Sequence, residues 1–569
     1  MKVKGGRQVL VPQVKPDKSF PDFTARLDPN TLHAAFGGGV GKFGANFAVF
    51  RYRYTTLWID YGAGFPDPAT PGMSRLLPDQ NLTKGMLPDA IIFTHGHEDH
   101  IGGLQHILNL LPPKLPVYCS PYTEALLRHR LKDVRHDAES FDFRILDANT
   151  SFQFKDFEIH NFFMPHSIPQ VFSVGLRTLD KKRSIYFTSD FKLQGNEPRF
   201  NQRQIQNFGP VDYLFIDSTG SLQPDMTASE SEVIAGLTSL IREIPGRIFI
   251  TTFASHVERL AAVYEIARKQ SRSVGLQGFS LKTHLRAAFE SAEFDTAPQK
   301  LSDPSPKSKN SIWIVAGCQC EPGSSFYRLA HNQLGRFQLN ESDTVIYSGS
   351  MIPGNEWQIY SALNKIAERG TRVIGVSGPV FDSKKNQLRL HASGHGRKQD
   401  IQTLIQWIKP QRVVPVHGDP VHFYAFKEII RSLSARPELH IVTNGPVYAL
   451  KNTLEVALEN PATAGLVEAG EVHFEDSLYQ RRLELSSQGI CTVILNQENW
   501  EVLKVDLQGV SSSEFVNEKF DAIHEEIARI CQSLARTDSK QKEKKARERI
   551  KSVILQYLHK SPFISLQII

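Results

Sequence analysis

The sequence predicts an α/β protein of more than one domain, and three observations carry that prediction. Its 569 residues exceed what one hydrophobic core organises, so roughly two to four domains are expected. Between about residues 226 and 385, short apolar runs alternate with helix-patterned stretches, the rhythm of a mainly parallel sheet with crossover helices. Elsewhere apolar runs end abruptly in histidine or aspartate, as strands do when they present polar side chains at their tips.

Taken in order, residues 46–62, "NFAVFRYRYTTLWIDYG", read as two strands. "AIIFTHGH" and "RSIYFTSDF" each read as a strand running into polar residues. "RIFITTF" is a strand followed by a helix in "ASHVERLAAVYEIARKQ", where Val257, Leu260, Ala261, Tyr264 and Ala267 recur at helical spacing. "SIWIVAG", "DTVIYSGS" and "TRVIGVSG" are further strands, with a helix in "EWQIYSALNKIAERG" between the last two. "QRVVPVHGDP" is again strand and polar tip, then a helix "FYAFKEIIRSL" and a strand "HIVTNG". Residues 459–471, "ENPATAGLVEAGE", are small and turn-prone, a candidate linker. Beyond them "RRLELSSQGICTVIL" reads as strands, and Phe520, Ile523, Ile527, Ile530 and Leu534 form one helical face. A basic run from Lys540 to Lys551 leads into a second helix and a strand-like "FISLQII".

Composition narrows the class. Apolar residues make up 40% and charged residues 22%, as in ordinary globular proteins. A net charge of +6 permits a polyanionic partner without demonstrating one. Five scattered cysteines (119, 318, 320, 491 and 531) argue against a disulfide framework and for a reducing compartment. The first residues lack the apolar core of a secretory signal, and no apolar run approaches the roughly 20 residues of a membrane span. The expectation is a soluble, cytoplasmic protein.

The chemistry concentrates in "FTHGHEDHIGGL", residues 93–104. A loop turning after a strand can point His95 and His97 one way and Asp99 and His100 another, so that two cations fit a few Å apart. By chance this quartet should arise on the order of once per thousand such chains. His166 in "FMPHSIP", Asp190 in "YFTSDFK" and His417 in "VVPVHGDP" follow apolar runs in the same way and are candidate partners. Any of these three alone would be read as a hydrogen-bonded structural residue.

"THGHEDHIGG" resembles the signature of the metallo-β-lactamase fold, and "LWIDYGAGFP" resembles that fold's first motif, with Asp60 supporting the ligands from behind. "LFIDSTGS", "TTFASHVERL", "MIPGNE", "HASGHG" and "VPVHGD" then occur in the order found in the β-CASP nucleases, and specifically in ribonuclease J, from about residue 31 to the C-terminus. The resemblance implies an αβ/βα metallo-β-lactamase sandwich (31–225 and 386–458) interrupted by an α/β β-CASP domain (226–385). An N-terminal extension (1–30), a linker (459–475) and a small C-terminal α/β domain (476–569) complete it. It further implies that His95, His97 and His166 hold one divalent ion and Asp99, His100 and His417 a second, with Asp190 between them. Zinc comes first, with manganese or magnesium as alternatives. Asp99, Asp217 and His395 would be catalytic, His395 as general acid, and His391, Ser393 and Ser348 or Ser350 would hold a substrate phosphate.

The implied activity is hydrolysis of single-stranded RNA from a 5′-monophosphorylated end, with endonuclease capacity, by a homodimer or higher homo-oligomer. A DNA-directed repair nuclease of the same group is the alternative. A small-molecule hydrolase sits poorly with so long an insertion, and a non-catalytic scaffold sits poorly with seven retained ligand positions. The chain departs from the family's pattern at Lys42, where an acid is usual, and at His256, where asparagine is usual. Cys318 and Cys320 replace the serine and glycine of a loop expected to line an RNA channel. His256 is expected in local hydrogen bonding, the basic run on a solvated helical face, and the N-terminal lysines in weak nucleic-acid contact.

Overall fold

The computed structural model describes residues 22–65, 73–294, 303–352, 354–376, 379–462, 464–468, 471–473, 482, 484–511, 513–535 and 541–569. The N-terminal lysines, Lys540, Pro353 and residues 463, 469–470 and 474–475 of the expected linker lie outside the described residues. The chain divides into two compact units, Met1–Gly64 with Leu77–Ala464, and Phe65–Leu76 with Gly465–Ile569.

The first unit contains two large facing sheets. One has eight strands in the order Leu454–Leu458, Val447–Leu450, His33–Gly38, Phe47–Tyr52, Thr55–Ile59, Ala90–Ile92, Leu115–Cys119 and Phe141–Ile145. The other has seven, in the order Glu438–Leu439, Arg412–Val416, Tyr213–Asp217, Ser184–Phe187, Val171–Thr178, Phe157–Met164 and Ser151–Phe154. Phe36 and Phe50 from the first sheet meet Phe215 from the second at ring-centroid distances of 5.5 and 5.4 Å, in the apolar layer between them. Helix Pro121–Asp133 covers the outer side of the first sheet; Gln202–Phe208, Lys398–Ile408 and Pro420–Arg431 cover the second. Sandwiching the sheets between helices makes their central strands apolar on both faces, and Arg412–Val416 and Tyr213–Asp217 are buried throughout.

The expected βα alternation forms a five-stranded parallel sheet, Ser273–Gln277, Ser311–Val315, Ile248–Thr251, Thr344–Tyr347 and Arg372–Ile374. Helix Val257–Lys269 buries Val257, Leu260 and Ala267 of the face its periodicity marked, with Ala261 and Tyr264 half-buried, and helix Glu356–Ala367 buries Ile359, Leu363 and Ile366.

The second unit pairs Val502–Gln508, Ile490–Leu495 and Phe563–Ile568 into a sheet under helices Ser513–Ala535 and Lys542–Leu558. Ile523 and Ile527 are fully buried there, with Ile550 and Ile554 opposite. Three side chains of the basic run are held and three face solvent: Lys551 bonds Glu484 at 2.6 Å, Arg547 donates to the Ile564 carbonyl at 2.7 Å and Lys542 lies 4.1 Å over the Trp500 ring, whereas Lys544, Lys545 and Arg549 are exposed. Among the described residues no helix is long and apolar enough to cross a membrane.

Three segments differ from the reading of the sequence. In the expected linker, Ala464–Glu468 and Glu471–His473 form strands of a three-stranded sheet with Met73–Asp79, and Ser74 donates to the Val467 carbonyl at 3.1 Å. Ala464–Glu468 pairs locally with Glu471–His473 and remotely with Met73–Asp79, and its small, turn-prone residues read as a linker even where the pairing is local. "HIVTNG" is irregular. The strand pairs through Glu438–Leu439 just before it, and the Tyr448 hydroxyl takes the Thr443 N–H at 2.9 Å, removing that donor from any ladder. Residues 484–488 are helical although "RRLEL" alternates with period two, because so short a run fixes no period by itself.

Candidate metal centre

The strand Ala90–Ile92 lies inside the first sheet, between Thr55–Ile59 and Leu115–Cys119, and residues 93–97 turn from it into the short helix Glu98–Ile101. Asp60 holds this turn. Its Oδ1 accepts from the Thr94 N–H at 2.8 Å, and its Oδ2 faces His100 Nδ1 at 2.7 Å. Asp60 does so from a left-handed backbone position (φ 59°), which a short polar side chain tolerates at modest cost. Gly62 is obligatory beside it, since a Cβ there would stand 1.6 Å from the Asp99 carbonyl oxygen.

The structure brings all seven sequence-predicted ligand residues together. His95 Nε2 lies 3.0 Å from His97 Nδ1, which lies 3.2 Å from His166 Nε2. Asp190 Oδ2 is 3.7 and 3.8 Å from the His95 and His166 Nε2 atoms. On the other side, Asp99 Oδ2 is 3.1 Å from His417 Nε2 and 3.6 Å from His100 Nε2, and Asp190 Oδ2 is 3.3 Å from His100 Nε2. Donors about 2.0–2.1 Å from one tetrahedral cation stand about 3.3–3.4 Å apart, so both groups have the span such an ion requires. Asp190 Oδ1 is a buried carboxylate oxygen with no hydrogen-bond partner, which a cation would satisfy.

The nitrogens facing away from each centre are held by other groups, which fixes which nitrogen points inward. The Gly394 carbonyl only accepts, so His166 Nδ1, 2.7 Å away, carries the proton and Nε2 keeps its lone pair. His97 Nε2 meets Ser255 Oγ at 3.1 Å, His95 Nδ1 meets Thr94 Oγ1 at 3.1 Å, and His417 Nδ1 meets Thr219 Oγ1 at 2.7 Å.

The two sides differ electrostatically. Burial, reinforced by neighbouring imidazoles, holds His95 and His166 well below the ordinary histidine range and lowers His97 to about 4. All three are therefore neutral ligands at neutral pH. Burial also opposes charge on His100 and His417, but the carboxylates of Asp190, Asp99, Asp60 and Asp217 outweigh it and raise both well above the ordinary range. That field favours positive charge, as a cation site should.

Beside the centre, His395 Nδ1 lies 2.8 Å from Asp217 Oδ2 and 3.9 Å from Asp190 Oδ2. Its ring stacks on His417 at 5.2 Å and 16°. The expected phosphate group is only partly gathered. Ser393 Oγ accepts the His395 N–H at 3.0 Å, and His391 Nδ1 lies 3.2 Å from Arg259 Nη1. Ser348 is fully buried and its hydroxyl donates to the Leu390 carbonyl at 2.7 Å, whereas Ser350 is exposed. Of the two serines, Ser350 is the one open to a ligand.

Cys318 and Cys320 turn into the core of the parallel sheet, 2% and 1% exposed, with both thiols pushed up to about 12 by burial. They do not face an open channel: the apolar neighbourhood of Phe326 and Tyr347 draws them inward. Lys42 is exposed on the glycine loop next to Phe43, whose ring meets His417 at 5.8 Å and His422 at 5.1 Å. His256 is buried and stacks on His391 at 6.0 Å and 12°.

Sequence reasoning missed two residues of this site. Asn46 opens a segment read only as strands, and Arg259 was hidden on a helix whose apolar face alone was counted. Arg259 is fully buried and pairs through two nitrogens with Glu230, at 2.6 and 2.8 Å.

Residues 65–252 match the family described as Beta-lactamase superfamily domain, residues 245–366 Ribonuclease J, beta-CASP domain, and residues 388–439 Zn-dependent metallo-hydrolase RNA specificity domain. The chain is 30% identical over 476 residues to Ribonuclease J of Thermus thermophilus, covering 80% of this chain and 81% of that protein. It is 30% identical over 431 residues to Ribonuclease J of Sinorhizobium meliloti (73% of each chain), and 27% identical over 512 residues to Ribonuclease J2 of Bacillus subtilis (87% and 88%). A crystal structure of a protein of unknown function from Enterococcus faecalis shares the fold, with TM-score 0.51 and 18% identity over 74% of this chain and 100% of that one.

Proposed function

The chain belongs to the ribonuclease J family, a hydrolytic, metal-dependent ribonuclease group with a metallo-β-lactamase fold and a β-CASP domain, and on that premise we propose that it degrades RNA 5′ to 3′ from monophosphorylated ends and also cleaves internally, using two divalent ions, zinc first. The observation that carries this reading is Asp190, standing between two ligand groups with His395 and Asp217 immediately beside it.

His95, His97, His166 and Asp190 would hold one ion, and Asp99, His100, His417 and Asp190 the other. Two such ions supply activation of water at neutral pH and charge stabilisation on the phosphoryl oxygens. The protein supplies the rest. The Asp217 carboxylate only accepts, so His395 Nδ1 carries a proton toward it, and Nε2 is the nitrogen left to serve the reaction. Burial disfavours the imidazolium, but Asp217 and Asp190 outweigh it and raise the His395 pKa, which favours the form whose Nε2 holds a proton to give to the leaving 3′-oxygen.

The 5′ preference rests on His391. An arginine has no acceptor, so His391 Nδ1 accepts from Arg259 and Nε2 carries the hydrogen. That Nε2 is buried with no protein partner, a donor awaiting an acceptor. With the Ser393 hydroxyl and Ser350 it suits a terminal phosphate, which has three acceptor oxygens. Dimerisation through the C-terminal unit and a cytoplasmic location complete the reading. Both rest on the family resemblance.

The deciding experiment incubates purified protein with 5′-labelled RNA and DNA of equal sequence, with Zn²⁺, Mn²⁺ or Mg²⁺ in turn. Mononucleotides released from the 5′ end of RNA support the reading. Equal or faster loss of DNA would favour the repair-nuclease alternative, and light scattering at micromolar concentration reports the oligomer.

A further inference from the structure

We infer that Asn46 is a positioning residue that assembles the second half of the metal centre, and that the glycine-rich loop exists in large part to seat its side chain. The inference rests on the reading that Asp99, His100 and His417 hold an ion of their own.

Asn46 is 8% exposed, and its Nδ2 lies 3.0 Å from Asp99 Oδ2 and 3.0 Å from His100 Nε2. An amide nitrogen donates and the Asp99 carboxylate only accepts, so the amide's carbonyl oxygen could not take its place. His100 lies against the same nitrogen, with its Nδ1 held 2.7 Å from Asp60 Oδ2.

The backbone around Asn46 leaves it little freedom. Its N–H donates to the Asp99 carbonyl at 2.9 Å, and its own carbonyl accepts from Gly62 N–H at 2.9 Å. The side-chain oxygen lies against Gly39, where a Cβ would stand 2.1 Å from Oδ1. Gly39 sits at φ 75°, and its carbonyl takes the His417 N–H at 2.7 Å. One loop therefore fixes all three second-side ligands: Asp99 and His100 through Asn46, His417 through Gly39.

The consequence is preorganisation. Asp99 Oδ2 and His100 Nε2, 3.6 Å apart, both lie 3.0 Å from one amide nitrogen, which holds the carboxylate beside the imidazole. With a cation on His100, the N–H on Asp99 would remain and keep the carboxylate aimed. The side-chain bonds of Asn46 go to Asp99 and His100, both on the second side, so the first side should keep its ion when they are lost.

The test is Co²⁺ titration of the full-length protein, read by visible absorption and by elemental analysis. Wild type should bind two ions per chain. Asn46→Leu keeps the volume and removes both donors, and Asn46→Ala is the smaller fallback should leucine disturb folding. Both should keep the first ion at wild-type affinity and bind the second roughly 10–100-fold more weakly. Variants binding both ions as wild type does would overturn the inference while leaving the two-ion reading intact. Equal weakening of both sites would mean a general packing role and also overturn it. A wild-type protein that binds a single ion would refute the two-ion reading itself, and the inference with it.

Discussion

His395 Nδ1 and Asp217 Oδ2 are 2.8 Å apart, and the carboxylate, 1% exposed, also accepts from the Thr219 N–H at 2.9 Å. A carboxylate so fixed sets both the orientation and the basicity of the imidazole. Asp217→Asn keeps the shape and removes the charge that raises the His395 pKa. A general acid works only while protonated, so its activity falls as pH rises through its pKa. Lowering that pKa must move the alkaline limb of the pH–rate profile toward lower pH. Single-turnover rates across pH, wild type against Asp217→Asn, check this; an unmoved alkaline limb would remove His395 from the acid's role.

His395 and His417 stack on each other yet should fail differently. His417 contributes Nε2 to the group with Asp99, His100 and Asp190, so His417→Ala should lower metal content and activity together. His395→Ala should leave both ions bound and slow turnover roughly 10²–10⁴-fold. Elemental analysis beside kinetics separates the two, and equal metal loss in both variants would mean that the roles are misassigned.

Much of this centre was legible because ligands at strand tips leave a local signature. His95, His166, Asp190 and His417 each follow a buried strand, Ala90–Ile92, Phe157–Met164, Ser184–Phe187 and Arg412–Val416. Asn46 and Arg259 act through partners far away in sequence, such as Asp99 for one and Ser348 and His391 for the other, and no periodicity encodes those contacts. Ser348 and Ser350 have identical chemistry in sequence, and only packing against Leu390 separates the buried hydroxyl from the exposed one. The hairpin of Ala464–Glu468 with Glu471–His473 was missed for another reason: its small residues read as turn-prone, and only its second partner, Met73–Asp79, is remote.

A pH effect on stability should come from His33, on a central strand of the first sheet. Burial lowers its pKa from 6.5 to about 4, partly opposed by Asp28. The unfolded chain takes up this proton below about 6.5 and the folded one only near 4, so stability falls as pH drops through that window. From pH 7 to pH 5 the loss attributable to His33 is about 2 kcal/mol. His33→Gln should be less stable or equal at pH 7 but show a shallower decline toward pH 5. Urea midpoints at the two values measure it, and parallel declines would show that His33 does not titrate this way.

Arg259 and Glu230 form a buried pair with 0% and 8% side-chain exposure. Arg259→Met strands the Glu230 carboxylate in the interior and should cost about 3–5 kcal/mol. The double variant Arg259→Met with Glu230→Leu should recover much of that loss, because no uncompensated charge remains. A double variant as unstable as the single one would show that the guanidinium's other bonds, to the Ser348 carbonyl at 2.7 Å and to His391, carry the stability instead.

The last expectation concerns the RNA end. His391 Nε2–H has no protein acceptor, and burial, with the charges of Arg259 and Lys192, holds the ring well below the ordinary histidine range. It therefore enters the reaction neutral, as a single fixed donor whose hydrogen Arg259 assigns to Nε2. A 5′-monophosphate supplies the missing acceptor; a 5′-hydroxyl leaves the donor unsatisfied, at roughly 1–3 kcal/mol, or about 5- to 150-fold in rate. A triphosphate is bulkier than one buried donor and two hydroxyls can enclose. Initial rates on one RNA bearing each of the three ends should therefore rank the monophosphate first. His391→Ala with Ser393→Ala should compress that ranking and spare internal cleavage, whereas Ser348→Ala, whose hydroxyl serves Leu390, should leave it unchanged. If the three ends react at one rate in the wild-type protein, His391 and Ser393 do not form a phosphate pocket.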